Sequence, residues 1–258
     1  MSGALRTLGR LTALLLLSAL ALQGYFFGRI ALMTVVDPQS TTFQRSQAWQ
    51  LVSEKHALAW RQQWVAYPRI APALKRAVVA AEDAGFTEHG GVEWDAVQKA
   101  WDRNQKAEAR FERVNATATA PVARRPAYGA GAARAPKVFG GSTITQQLAK
   151  NLFLDGERNL LRKAQELVIT LMLEAVLGKQ RIFEIYLNSV EWGEGVFGAQ
   201  AAARHYFRVD AAALGASQAA QLAVMLPAPK RFEKRPSSPY VVGRAATVGA
   251  RMAAVDVP

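Results

Sequence analysis

Residues 140–153 read GGSTITQQLAKNLF. Ile144, Leu148 and Leu152 recur at i, i+4 and i+8, which places them on one stripe of an α-helix. Thr143, Gln147 and Lys150 recur at i, i+4 and i+7 and share another stripe. The segment is therefore an amphipathic helix entered through two glycines. Backbone N–H groups at such a helix start favour an anion. The Gly-Lys-Ser/Thr order of a Walker loop is missing. By itself, the polar stripe is also what an ordinary solvated helix face presents.

The helical period continues on both sides. Upstream, Pro72 suits a first helical turn, residues 73–83 are helix-forming, and residues 94–113 read as a second helix. Downstream, helical patterns cover residues 158–177, with Gly178 placed to end the run, then 180–188, 196–207, 216–226 and 240–254. Nowhere does a stretch longer than a few residues alternate with period two. The chain reads as all-α, with strands incidental. Residues 115–136 (NATATAPVARRPAYGAGAARAP) have no period and read as a mobile surface loop.

With 258 residues, half of them hydrophobic, the chain can bury a core without staples. It contains no cysteine, which excludes a disulfide scaffold, a thiolate metal site, a cysteine nucleophile and a lipoprotein anchor. Three histidines make a multi-histidine metal site a poor reading. The balance of 32 basic against 20 acidic residues gives +12 and a pI near 10.3, which draws the chain to polyanions. Residues 11–36 choose among these. They are apolar over more than the ~20 residues that span a bilayer, preceded by Arg6 and Arg10 and by no acid. The positive-inside rule puts residues 1–10 in the cytoplasm and everything after Asp37 outside. Ala19-Leu20-Ala21 resembles a signal-peptide cleavage site, but the apolar run continues well past it, which favours an uncleaved anchor. Export makes nucleic acid a poor partner and membrane phosphates a good one. Residues 37–66 read as a membrane-proximal connector with scattered tryptophans.

Two further sites carry chemistry. Glu82-Asp83 closes the apolar helix AVVAAED, so Glu82 is placed for partial desolvation, which raises a carboxyl pKa toward the range useful for acid/base work. A solvated helix end is the bland alternative. His89, six residues on, is placed to orient a carboxylate or to cap a turn. Arg162 and Lys163 stand four and three residues before Glu166. They form either a surface ion-pair set or a cationic pocket holding a carboxylate, and spacing does not decide.

Taken together, five ordered blocks resemble glycosyltransferase family 51, the peptidoglycan polymerases, and within it the monofunctional transglycosylases. They are Glu82-Asp83 with Phe86 and His89; GGSTITQQLAKN; Arg162-Lys163 with Glu166; RIFEIYLNSVEWGEGVFG at 181–198; and QLAVMLPAP at 221–229. The resemblance implies an α-helical, lysozyme-like domain at residues 67–258 with a jaw lobe that dips into the membrane. It implies lipid II as donor and acceptor, β-1,4 glycan as product, and inversion with release of undecaprenyl pyrophosphate. By match to the family's motifs, Glu82 would be the general base and Glu166 the second carboxylate. Lys150, Arg162 and Lys163 match positive residues near the phosphates. Ser142, Thr143, Gln147 and Asn151 match donor-cleft positions, and Asp83, Phe86 and His89 substrate-binding ones. Lys230 and Arg231 both remain candidates for a basic residue near the cleft. No cofactor is implied as required, although Mg²⁺ or Mn²⁺ assists some members. The implied location is the bacterial inner membrane, single-pass, with the catalytic domain periplasmic. Partners would be lipid II, the growing chain, the membrane and other cell-wall synthesis or division proteins. Two other classes compete. A glycan-cleaving enzyme needs an acid for the leaving sugar but no cations for a pyrophosphate. A non-catalytic cell-wall scaffold would need neither Glu82 nor Glu166.

Overall fold

The computed structural model describes residues 2–56, 58–118, 141–154 and 159–258. The chain divides into two compact units, one of Met1–Gly91 with Thr143–Pro258 and one of Val92–Ser142.

The first unit begins with α1, Ser2–Leu32. Among the described residues it holds the one helix long and apolar enough to cross a membrane, over Gly3–Leu32. The helix starts before the predicted span and stops four residues short of its end, where residues 33–36 form turns. Its C-terminal half is not free. Phe26, Ile30 and Met33 are buried. Phe26 meets Phe153 edge-on at 5.3 Å, and the amides of Gln23 and Gln165 exchange hydrogen bonds of 2.8 and 3.0 Å. Arg181 donates through Nε to the Met33 carbonyl (2.8 Å) and pairs with Asp37 and Glu184 (both 2.8 Å).

The predicted connector is folded. It forms α2, Thr42–Lys55, and β1, Arg61–Gln62. Thr41 and Gln44 close a reciprocal capping box at the start of α2, a Thr-x-x-Gln signature visible in the sequence. Gln44 then donates to the Ser189 carbonyl at 3.2 Å and Thr42 to that of Leu152 at 2.9 Å, which fastens α2 to the body.

Helix α3 (Pro72–Glu82) packs against α9 (Ala216–Met225) and α11 (Pro239–Arg251). In the other unit, α4 runs Trp94–Ala118 and leaves Trp94, Val97 and Trp101 exposed at i, i+3 and i+7. Residues 115–118 of the expected loop thus belong to α4, and residues 119–136 lie outside the described residues. Returning to the first unit, α5 (Ile144–Phe153), α6 (Leu160–Val176) and α7 (Lys179–Ser189) pack on one another. Gly178 does not end α6 in a left-handed cap. Its φ is −69° and it is the N-cap of α7.

The stretch 196–207, read as one helix, is split. Val196–Phe197 is strand β3, pairing in parallel with β1 and antiparallel with β2, Glu191–Gly193, and helix α8 starts only at Ala199. Glycine explains the split. Gly198 takes φ +82°, and a Cβ there would stand 2.7 Å from the Asn188 carbonyl oxygen. The sheet brings Trp192 fully inside, where its Nε1–H donates to Leu222 O at 3.1 Å.

Glu191 on β2 is buried, and its Oε1 has no hydrogen-bond partner. Lys230, on the short helix α10 (Pro229–Phe232), is 3.7 Å away, too far for a hydrogen bond. Burial pushes the Glu191 carboxyl up to about 7. A carboxyl raised in the fold favours folding fully below its unfolded pKa and loses that contribution as pH rises toward 7. Glu191→Gln should therefore match the parent near pH 4 and exceed it at pH 8 by as much as about 3 kcal/mol. Thermal unfolding in detergent at the two pH values checks this.

Candidate active site

Glu82 is the last residue of α3, with Val78 and Val79 buried just before it. Its half-buried Oε2 accepts from Gln147 Nε2 on α5 at 2.8 Å. The amide is oriented from behind, since the Tyr186 hydroxyl on α7 donates to Gln147 Oε1 at 3.0 Å. The amide nitrogen therefore faces Glu82. Burial raises the Glu82 pKa, and the charge of Asp83 raises it further. The Gln147 hydrogen bond and the charge of Lys150 oppose this without cancelling it.

Asp83 is buried and joins the end of α3 to the start of α5. Its Oδ2 accepts from the Ile144 backbone N–H at 2.9 Å, and its Oδ1 bonds His89 Nε2 at 2.8 Å. His89 Nδ1 accepts from the Gly91 N–H at 3.1 Å, so the proton donated to Asp83 sits on Nε2. The glycine-led helix start does attract an anion, and that anion is the chain's own Asp83. Thr143 is the N-cap of α5, paired with Gln146 in a capping box, and its hydroxyl donates to Gly91 O at 2.6 Å. Gly91 has φ +88°, and a Cβ there would lie 2.8 Å from Thr170 and Glu174 side-chain carbons. Thr143→Ala loses the cap and that tether together. It should lower stability by about 1–2 kcal/mol, measured by chemical denaturation in detergent.

The second cluster lies on α6. Glu166 is 3 % exposed, and Arg162 Nη1 pairs with it at 2.9 Å. Lys163 donates to its other oxygen. A carboxylate this buried and clasped by two cations is not an ordinary solvated surface pair. The cluster carries one net positive charge, and Arg162 Nε is buried without a hydrogen-bond partner.

Several expected site residues have partners within the fold. Phe86 is fully buried against Phe183, with ring centroids 5.4 Å apart and Lys179 Nζ 4.5 Å over its ring. It has no surface left for a substrate and is a packing residue. Asp83, His89 and Thr143 engage their polar atoms with one another and with backbone. Lys150 is exposed, Asn151 is buried, and exposed Ser142 ends the Val92–Ser142 unit. Lys230 turns to Gln47 and toward Glu191, whereas Arg231 is exposed beside the Phe232 ring. Tyr186 and Glu174 were not singled out from the sequence. Tyr186 shares the buried face of α7 with Ile182, Phe183 and Ile185, and that apolar period masks its hydroxyl's task. Glu174 accepts from Thr145 (2.6 Å) and Lys179 (2.8 Å) behind Gly91. No group of three or more carboxylate or imidazole side chains placed to hold a metal occurs among the described residues.

A helical body that suspends a desolvated carboxyl at a helix end, with a separate cation-rimmed carboxylate, offers a group suited to acid/base work and, apart from it, fixed positive charge. A family model described as Transglycosylase matches residues 50–124 and 115–253. Among curated relatives, a biosynthetic peptidoglycan transglycosylase of Paraburkholderia phytofirmans is 45% identical over 256 residues, 99% of this chain and 95% of its own. One of Burkholderia thailandensis is 48% identical over 239 residues, 93% of this chain and 83% of its own, and one of Burkholderia pseudomallei has the same figures. The chain belongs to the transglycosylase family, whose domain is lysozyme-like.

Proposed function

We propose that this protein is a peptidoglycan glycosyltransferase that polymerises lipid II into β-1,4-linked glycan. The observation that carries the reading is Glu82, a carboxyl held partly out of water at a raised pKa and aimed by the Gln147–Tyr186 relay. In this role Glu82 takes the proton from the acceptor 4-hydroxyl. The oxygen forms a bond to the donor's anomeric carbon as the bond to the pyrophosphate oxygen breaks. The α-linked donor becomes a β-linkage, and undecaprenyl pyrophosphate departs with the electron pair. Arg162, Lys163 and Lys150 supply fixed positive charge for that leaving group, which stabilises it better than reorienting water does. Glu166 holds the first two cations in place. The reaction so written needs no cofactor.

Arg6 and Arg10 at the start of α1 support an N-terminus in the cytoplasm and a body at the outer face of the inner membrane. Beside α1, α6 exposes Leu160, Leu161 and Leu171, which suits partial insertion of this edge into lipid. Other wall-synthesis or division proteins are proposed partners on the same footing.

The test incubates full-length protein with purified lipid II in detergent and reads glycan chains on a gel. Polymer with release of undecaprenyl pyrophosphate is expected. Cleavage of preformed glycan without polymer would overturn the reading in favour of a hydrolytic enzyme. Inactivity in both assays would favour a scaffold.

A further inference from the structure

The junction between the anchor and the body holds a cavity of about 490 Å³ that the proposed reaction does not use. Its wall is largely apolar, and its lining includes Leu32, Met33 and Val36 together with Arg29 and Arg45. The two arginines come from different elements, α1 and α2. Neither has a carboxylate partner among the described residues. Arg29 bonds only the Tyr25 hydroxyl, at 3.1 Å, and lies over that ring. Arg45 bonds only neutral oxygens, those of Ser40 and Thr42, at 3.0–3.3 Å. Asp37 on the same wall is already paired with Arg181. Two guanidinium groups beside an apolar recess match an anionic head with a hydrocarbon tail, since guanidinium forks suit phosphate oxygens.

Depth agrees with that chemistry. A hydrocarbon core about 30 Å thick takes ~20 helical residues. Counted from Leu11, just after the two leading arginines, the span ends near Ile30. Arg29 then lies at the outer edge of the hydrocarbon, and Arg45 beyond it. We infer that the cavity formed by the end of α1 and the start of α2 binds the headgroup of an anionic phospholipid of the outer leaflet, with the upper acyl chain against Leu32 and Val36. The inference rests on the membrane topology proposed above.

The test is native mass spectrometry of the full-length protein released from nanodiscs containing equal phosphatidylglycerol and phosphatidylcholine. At about fivefold per arginine near a charged surface, the parent should retain phosphatidylglycerol with a preference of roughly 25-fold. Arg29→Gln with Arg45→Gln should reduce that preference to near unity. Arg6→Gln with Arg10→Gln, the same change in charge, should preserve it. Equal retention of both lipids by the parent, or equal loss in both variants, would overturn the inference. Displacement of the lipid by millimolar inorganic phosphate would overturn it too, because the site would then be one for free phosphate. The assay contains no lipid II, so absence of polymerase activity would appear separately. A reversed topology would show as protease access to an N-terminal tag from outside the cell.

Discussion

Replacing Glu82 with Gln is expected to lower lipid II polymerisation by about 10²–10⁴-fold, the usual contribution of a positioned acid or base, while leaving the fold intact. Glutamine preserves the shape and can still meet the Gln147 amide, but it cannot take a proton. The sign of the pH dependence separates the two catalytic readings. Burial first, and the charge of Asp83 second, raise the Glu82 pKa. A base must be ionised, so polymerisation should fall as pH drops, with a midpoint above the ordinary carboxylate range. A glycan-cleaving enzyme using Glu82 as its acid would instead lose activity as pH rises. Stability runs opposite to polymerisation. A carboxyl whose pKa is raised in the fold favours folding most when protonated, and that contribution is lost as pH rises through the folded pKa. Glu82→Gln should therefore be at least as stable as the parent at pH 8. Initial rates across pH, with melting temperatures beside them, check both signs. A variant that unfolds would remove the assignment of Glu82 as base, because its loss of activity would be structural.

Asp83→Ala is expected to be the most damaging substitution to stability in the site, costing about 2–6 kcal/mol. It leaves two donors without an acceptor, the Ile144 N–H and His89 Nε2–H, at roughly 1–3 kcal/mol each. Asp83→Asn is not a neutral control. Both partners donate, the His89 tautomer being fixed by Gly91, so a carboxamide must turn its NH₂ toward one of them. The asparagine variant should lose less stability than the alanine variant but more than Glu82→Gln. It carries a second readout that a purely structural role would not move. Asp83 raises the Glu82 pKa, so removing its charge should shift the acid limb of the polymerisation profile to lower pH. Denaturation curves rank the three variants, and the rate profile of Asp83→Asn gives the shift. An unmoved acid limb would mean that Asp83 acts on stability alone.

Helix α5 was legible because its apolar and polar stripes obey one period, and Ile144, Leu148 and Leu152 are indeed buried. Glu82 was legible as a carboxyl closing an apolar helix. Its partners were not, because Gln147 is 65 residues away in sequence. The helix inside the connector is hard to see in the sequence because its docking relies partly on polar side chains, Thr42 and Gln44, beside the apolar Phe43 and Leu51. The strands went unseen because each is only two or three residues long, too short for a period of two to register. Phe86 was placed at the substrate by its motif, and only packing shows that its ring has no free face.

Sequence alone determined the helical class, the apolar span with its leading arginines, and the acid and cation blocks, since these follow from local periodicity, charge and residue order. Tertiary structure decided which groups are spent internally and which remain for chemistry. Hydrogen bonds between distant segments tie Asp83, His89 and Thr143 to one another and to backbone, and aim Gln147 at Glu82. Burial separated Glu166 from an ordinary surface pair, because desolvation depends on what packs around a side chain and not on its neighbours along the chain.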